Sequence, residues 1–272
     1  MAFRMVKRNN LNIYGTVFNN AEYIEACISS IKLLAKDGKI ALWVVDNYST
    51  DGTIDKLMEM SKNKEYTKYI DFHIYQAKCS RGRGRQIALD YAIRYSYSPN
   101  DLAMYIDFDT IYTKKYVELI NKIIPIIQDG EVYINIIGML ATINTNKLVS
   151  WRNLNMGEDT ERGAHFVSKG VKLIAKIPFS ATNGTDYALN RDVNKKFWSE
   201  RERTYGGILR IINGLIEEHR GVAYKNFTGD CIHTKCKIAS FFAHIIASIK
   251  GVYSYDKKLN NKELIWRATT TT

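Results

Sequence analysis

The first 110 residues alternate short, largely apolar runs with stretches whose apolar residues recur at helical spacing. Leu11–Val17 and Ile40–Val45 are apolar runs bounded by polar residues, the pattern of strands buried on both faces. Tyr69–Tyr75 and Leu102–Ile106 read as a third and a fourth strand. Between the first two, Ile24, Cys27, Ile28, Ile31 and Leu34 mark one face of a helix. Asn19, with Glu22 three residues on, is placed to open that helix as a capping box. Thr53 to about Ser61 reads as a second helix, and Ile87, Ala88, Tyr91, Ala92 and Tyr95 mark another over 85–95. Strands alternating with helices imply right-handed crossovers and a mainly parallel sheet covered on both faces.

The pattern is less regular beyond Thr113. A helix is expected to about Gln128, bent by Pro125, then a strand over Glu131–Ile143 and another near Val171–Ile177. A helix between Tyr205 and His219 and an apolar helix over Ile238–Ile249 complete the series. The sequence shows no repeat, no low-complexity linker and only 3 prolines, which argues against independent domains. The expected division is a first half over 1–112, a second half of the same domain over 113–236, and a C-terminal helix and tail over 237–272.

Composition narrows the partners. A chain of 272 residues that is 46% hydrophobic builds a core without difficulty. Its net charge of +11 favours anionic partners, whether polynucleotide, membrane surface or phosphorylated small molecule. The charges are interspersed, however, so most belong to an ordinary solvated surface. The 4 cysteines are scattered and no apolar leader precedes them, which favours a reducing, cytoplasmic setting. No apolar run approaches the roughly 20 residues that cross a bilayer. The stripe Ile238, Phe241, Phe242, Ile245, Ile246 and Ile249, with Lys237 and Lys250 at its ends, is compatible with peripheral membrane contact over 238–250. Packing on its own domain is the more common fate of such a stripe.

In an open parallel sheet, ligands bind outside the carboxyl ends of the strands. The polar clusters at 46–52, 79–85 and 107–109 all follow expected strands and should meet in one crevice. Asp107 and Asp109, one residue apart at a strand end, can address one hard cation such as Mg²⁺ or Mn²⁺, whose remaining ligands are diphosphate oxygens and water. Taken alone, Asp-x-Asp arises often by chance, and a loop aspartate capping a helix is the plainer reading.

Four segments in order change that weighting. Gly15–Ile24, Val44–Thr53 with its Val-Val-Asp-Asn-Tyr-Ser-Thr-Asp-Gly, Ser80–Leu89 with its Arg-Gly-Arg-Gly-Arg, and Tyr105–Asp109 together resemble the family 2 glycosyltransferases. The resemblance implies the GT-A fold, a Rossmann-like α/β domain with a mainly parallel central sheet flanked by helices and an irregular or helical acceptor-side C-terminal part. It also implies a UDP-, GDP- or dTDP-sugar as donor and a divalent metal at Asp107 and Asp109.

The donor pocket would be built from Thr16, Phe18, Asn19, Asp46, Asn47 and Ser49, with Arg81, Gly82, Arg85 and Asp107. Asp46 or Asn47 suits ribose or base hydrogen bonds, although Asx turns also favour these residues. Guanidinium forks at Arg81 and Arg85 match phosphate oxygens, and Gly82 and Gly84 admit a close backbone approach. Phe18 stands where the family often has tyrosine, and Gly15 where it has proline.

Gly157-Glu158-Asp159 resembles the family's segment that supplies the base in inverting members, which points to Asp159, with Glu158 as the alternate. The competing reading is that Glu158, Asp159 and Glu161 simply occupy the negatively preferred first turn of a helix. By the same resemblance His233 is a candidate further metal ligand. Cys231, His233 and Cys236 lack the second pair that zinc would need. Trp151 and the Phe179–Tyr187 segment are candidates for an acceptor pocket for a glycan, a lipid-linked sugar or a protein, with core packing the plainer role for each. Two other readings compete with an inverting transferase. One is a retaining transferase or nucleotidyltransferase in the same pocket. The other is a nucleic-acid-binding protein using Arg81, Arg83 and Arg85, which leaves the acidic motifs unexplained.

Overall fold

The structure is a computed structural model that describes residues 10–35, 38–135, 138–154, 157–174, 188–189 and 234–250, with helical residues at 212, 215, 216 and 219. A 7-stranded sheet forms its centre. Strands β1 (Leu11–Val17), β2 (Ile40–Asp46), β3 (Ile70–Gln76) and β4 (Leu102–Ile106) are parallel, in the spatial order β3-β2-β1-β4. The sheet continues through β7 (Gly138–Thr142), β6 (Glu131–Asn135) and β8 (Lys172–Ile174). Among these strands only β7 runs against the rest, antiparallel to both β4 and β6. A two-residue strand, β5 (Ile111–Tyr112), pairs with β9 (Ala188–Leu189) in a separate small sheet.

Strand alternation sorts the core into two layers. Ile13, Leu42, Val44 and Met104 face one side, under α1 (Ile24–Ile31), α2 (Thr53–Met60), the short α3 (Lys64–Thr67) and α5 (Lys114–Ile123). Tyr14, Trp43, Val45 and Tyr105 face the other, under α4 (Arg81–Tyr95) and α7 (Glu158–Ser168). A short α6 (Ile143–Lys147) follows β7. The helical stripe of α1 is buried throughout, Leu34 included. After β3 the chain crosses back to the far side of β1 to form β4, so the strand order reverses between β1 and β4. The crevice at their carboxyl ends is where such sheets take ligands.

Several expected boundaries move. Helix α1 starts at Ile24, and the residue before it, Tyr23, caps it with no side-chain hydrogen bond. The capping box at Asn19 does not form. Asn19 instead adopts φ 46°, and its Oδ1 accepts from the Thr50 amide at 2.9 Å. Helix α5 stops at Ile123, so Pro125 follows the helix rather than bending it, as the restriction on the residue before proline favours. The single strand expected over 131–143 is a hairpin of β6 and β7, since a continuously apolar run carries no mark of where the chain reverses. The C-terminal helix starts at Thr234, so it spans the expected 236/237 boundary. The segment 175–177 and most of the 205–219 helix lie outside the described residues.

Candidate active site at the β1–β4 crevice

The turn after β2 is built by its own polar residues. Asp46 is fully buried and accepts from the Ser49 amide at 3.1 Å, the Ser49 hydroxyl at 2.5 Å and Gln76 Nε2 at 3.0 Å. Ser49 Oγ in turn accepts from the Asn19 amide at 2.9 Å, which ties this turn to the one after β1. Asn47 donates its amide to the Val17 carbonyl and accepts from the Cys79 amide, both at 2.9 Å. Thr16 Oγ1 donates to the Val45 carbonyl at 2.9 Å. Asp51 accepts from the Ala21 amide at 2.9 Å and from Thr53. Burial pushes its carboxyl upward, but these hydrogen bonds outweigh that and hold it below the usual range. Phe18 is half-buried and Asn19 exposed at the rim.

The Asp-x-Asp turn is anchored from beneath. Asn20 Nδ2 donates to the Phe108 carbonyl at 2.6 Å, and the Phe108 ring is buried against Gly15. A Cβ at Gly15 would lie 2.7 Å from the Ile106 carbonyl oxygen and 3.0 Å from that ring, so glycine there is a packing requirement of this turn. Asp107 is partly exposed and Asp109 exposed. Burial raises the Cys27 thiol well above its ordinary value, and the charges of Asp109 and Asp107 push it further.

Helix α4 begins at Arg81, earlier than its apolar spacing suggests, because Ser80 caps it by accepting from the Arg83 amide at 3.1 Å. The Arg-Gly-Arg-Gly-Arg segment is thus the first turns of a helix and not a loop. Gly82 and Gly84 do admit a close approach, but from the chain itself. A Cβ at Gly82 would fall 1.9 Å from the Arg152 carbonyl oxygen, and one at Gly84 would fall 2.5 Å from Thr16 Oγ1. The segment 151–154 is strapped to this helix start. Gly82 donates to the Leu154 carbonyl at 2.8 Å, Ser80 Oγ to Asn153 Oδ1 at 2.5 Å, and the Trp151 amide to Gln86 Oε1 at 2.6 Å.

Arg85 joins the acidic motifs. Its guanidinium donates to Asp107 Oδ1 at 2.8 Å, to Glu158 Oε1 and to the Tyr105 hydroxyl, and Tyr105 donates to the same Asp107 oxygen at 2.5 Å. It lies 4.0 Å from the Tyr105 ring centroid and 4.9 Å from that of Trp151. Burial opposes its charge, but Tyr105, Glu158 and Asp107 outweigh that and raise its pKa. Burial lifts the Tyr105 hydroxyl well above its usual value, Arg85 lowers it, and the charges of Asp107, Asp159 and Glu158 add to the rise. Asp159 therefore acts on the same spot as Asp107.

Gly157, at φ 68°, turns the chain into α7 and puts Glu158 and Asp159 in its first turn. Glu158 is buried, with Arg81 Nε 3.7 Å away, and its Oε2 has no hydrogen-bond partner among the described residues. Asp159 is half-exposed. His233 and the Phe179–Tyr187 segment lie outside the described residues.

Trp151 does not line a pocket. It is 4% exposed, sandwiched between Arg85 and Arg162, whose guanidinium lies 4.6 Å from the ring centroid. Arg162 is fully buried and donates to the Tyr14 hydroxyl at 2.8 Å and to the Val149 carbonyl at 2.9 Å. Tyr14 and Arg162 are supporting residues outside the sequence motifs, and the fold brings them together from 148 residues apart.

The family model for glycosyl transferase family 2 matches residues 15–198, more than half of the chain. The chain belongs to glycosyl transferase family 2. No curated protein matches this family 2 chain in sequence. Among solved structures it is similar to the mannosyltransferase PcManGT from Pyrobaculum calidifontis in complex with GDP-Man and Mn²⁺, with a TM-score of 0.55 and 14% identity over 90% of this chain and 74% of that one. It is also similar to TarS of S. aureus, with a TM-score of 0.51 and 13% identity over 88% of this chain and 49% of the other, so it spans about half of that protein. The family 2 chain thus has the GT-A fold and is a glycosyltransferase.

Among the described residues no group of three or more His, Cys, Asp or Glu side chains gathers for a metal. Asp107 and Asp109 suit a hard divalent ion that completes its shell with diphosphate and water, since both are carboxylate oxygen donors, partly or fully exposed, on one turn.

Proposed function

We propose that this transferase moves a hexosyl group from a nucleoside-diphosphate sugar to an acceptor hydroxyl, with inversion and with Mn²⁺ or Mg²⁺ bound at Asp107 and Asp109. The observation that carries the reading is the Arg85 clamp. It fixes Asp107 and Glu158 on one guanidinium and so holds the Gly-Glu-Asp segment against the Asp-x-Asp turn. The complex of PcManGT with GDP-Man and Mn²⁺ supports the same donor chemistry.

The nucleoside fits the crevice rimmed by Thr16, Phe18, Asn19, Asp46, Asn47 and Ser49, with the diphosphate running toward Asp107 past Arg81. Asp159, half-exposed on the first turn of α7, takes the proton from the attacking hydroxyl. Glu158, buried against two arginines, positions that turn and leaves the base role to its neighbour. The bound cation would neutralise charge on the leaving diphosphate. His233 is retained as a candidate third ligand. A basic nucleic-acid loop is disfavoured, because Arg81 and Arg85 turn inward to Glu158 and only Arg83 of the three is exposed.

The test is the melting temperature with UDP, GDP, dTDP and CMP, each with and without Mn²⁺. A ligand at 100 times its dissociation constant adds about 2.7 kcal/mol to the folded state. One diphosphate should stabilise strongly only with metal, and Asp109→Ala should remove the effect. Stabilisation by polynucleotide alone would refute the reading. Asp159→Asn should then slow turnover by about 10² to 10⁴-fold while the metal-dependent stabilisation persists. A product that keeps the donor's anomeric configuration, or released pyrophosphate, would point to the retaining or nucleotidyl alternative.

A further inference from the structure

Helix α8 (Thr234–Lys250) wears its large apolar side chains on the outside. Its inner face is small: Ala239, Ala243 and Ala247 pack on Leu215 and Ile216. Ile238, Phe241, Phe242, Ile245 and Ile249 are 54%, 42%, 54%, 40% and 81% exposed. At 3.6 residues per turn these five fall within an arc of about 100°. An ordinary surface helix turns such residues inward, and here the order is reversed.

The charge around the stripe is basic. Lys237 and Lys250 are exposed at the two ends of the helix. From Thr234 to the last residue the sequence holds seven Lys or Arg against two Asp or Glu. No helix among the described residues is long and apolar enough to cross a membrane. A basic apolar face repels its own copy and attracts an anionic one.

We propose that α8 docks this protein on an anionic lipid surface, lying in the plane of the interface with Phe241, Phe242 and Ile245 among the acyl chains and the flanking lysines at the headgroups. The docking is independent of the transfer reaction and is read without activity.

The experiment is co-sedimentation of the full chain with vesicles of phosphatidylcholine alone, or with about one third phosphatidylglycerol, at a composition typical of anionic membranes. The protein should pellet with the anionic vesicles, less with the neutral ones, and less as salt rises. Phe241→Ser with Phe242→Ser, and separately Ile245→Glu, should weaken partitioning by about tenfold or more. Melting temperature and nucleotide-dependent stabilisation should stay as in the wild type. Lys237→Glu with Lys250→Glu, at exposed sites that carry no packing, should weaken binding to anionic vesicles alone.

Failure of the wild type to bind either vesicle would overturn the proposal, as would apolar-face variants that bind as well as it does. A wild-type dimer that the apolar variants dissociate would assign the face to a second copy. Apolar variants that melt well below the wild type would assign it to the chain's own packing. Either result would refute lipid docking.

Discussion

Arg85 is buried among two carboxylates, a phenol and an indole, and it is the ion-pair partner of the buried Glu158. Removing one member of a buried pair strands the other, which typically costs about 3–5 kcal/mol. Arg85→Met should therefore lower the urea midpoint sharply. Arg85→Met with Glu158→Gln should recover part of the loss, because a neutral amide no longer needs the cation, and that non-additivity is the signature of the pair. Gly82→Ala is a separate probe. Its Cβ would fall 1.9 Å from a backbone oxygen of residue 152, so the strap over the start of α4 must shift. Overpacking of this kind costs about 1–3 kcal/mol, read as a lower melting temperature. Asp107, Asp109 and Asp159 stand out in the sequence as motif residues, and the roles expected of them come from the resemblance to family 2. The clamp was not legible there, since Arg85 read as a phosphate ligand until its partners were seen.

The parallel strands and the buried stripe of α1 were plain in the hydrophobic pattern, whereas helix ends depended on capping contacts that the pattern does not encode. Ser80 starts α4 four residues before its apolar spacing does, and that shift turns two arginines inward. Near the C-terminal end of the described residues, His219 links the helical residues at 212, 215, 216 and 219 to α8, its Nε2 lying 2.8 Å from Ser240 Oγ. Burial first, and then the neighbouring His244, lower its pKa to about 4. The folded state thus prefers neutral His219, while the unfolded chain takes up a proton near pH 6.5. The stability this group contributes is fully present above that value and declines as pH falls from about 6.5 toward about 4. Melting temperatures measured at neutral pH and near pH 5 should show the decline, and His219→Gln should flatten it. His165, lowered in the same direction by burial and nearby cations, leaves a residual slope.

Across the whole molecule, the expected division at 112/113 cuts through packing. Tyr116, Val117, Ile120 and Ile123 belong to the same core cluster as Ile13, Leu42 and Met104, and β7 pairs with β4 along its full length. We expect a fragment ending at residue 112 to expose that face and show no cooperative melt, while the full chain melts in one main transition. A cooperative fragment would show instead that the first half folds by itself. The sheet is also what makes a site: residues paired between β1 and β4 are 91 apart in the chain, as Leu11 and Leu102 are, yet adjacent in space, and the crevice opens where the strand order reverses.

The sequence by itself determined the α/β class, the crossover pattern, the family and the acidic turn, because each rests on local periodicity or on residues close together in the chain. Only the tertiary structure decided that Trp151 is core, that Glu158 is a buried partner of Arg85 and that the outer face of α8 is the apolar one. Those depend on neighbours brought together by the fold, as Arg85 and Glu158 are from 73 residues apart. Side-chain identity supplies the charge and the volume, and the fold chooses what that charge meets.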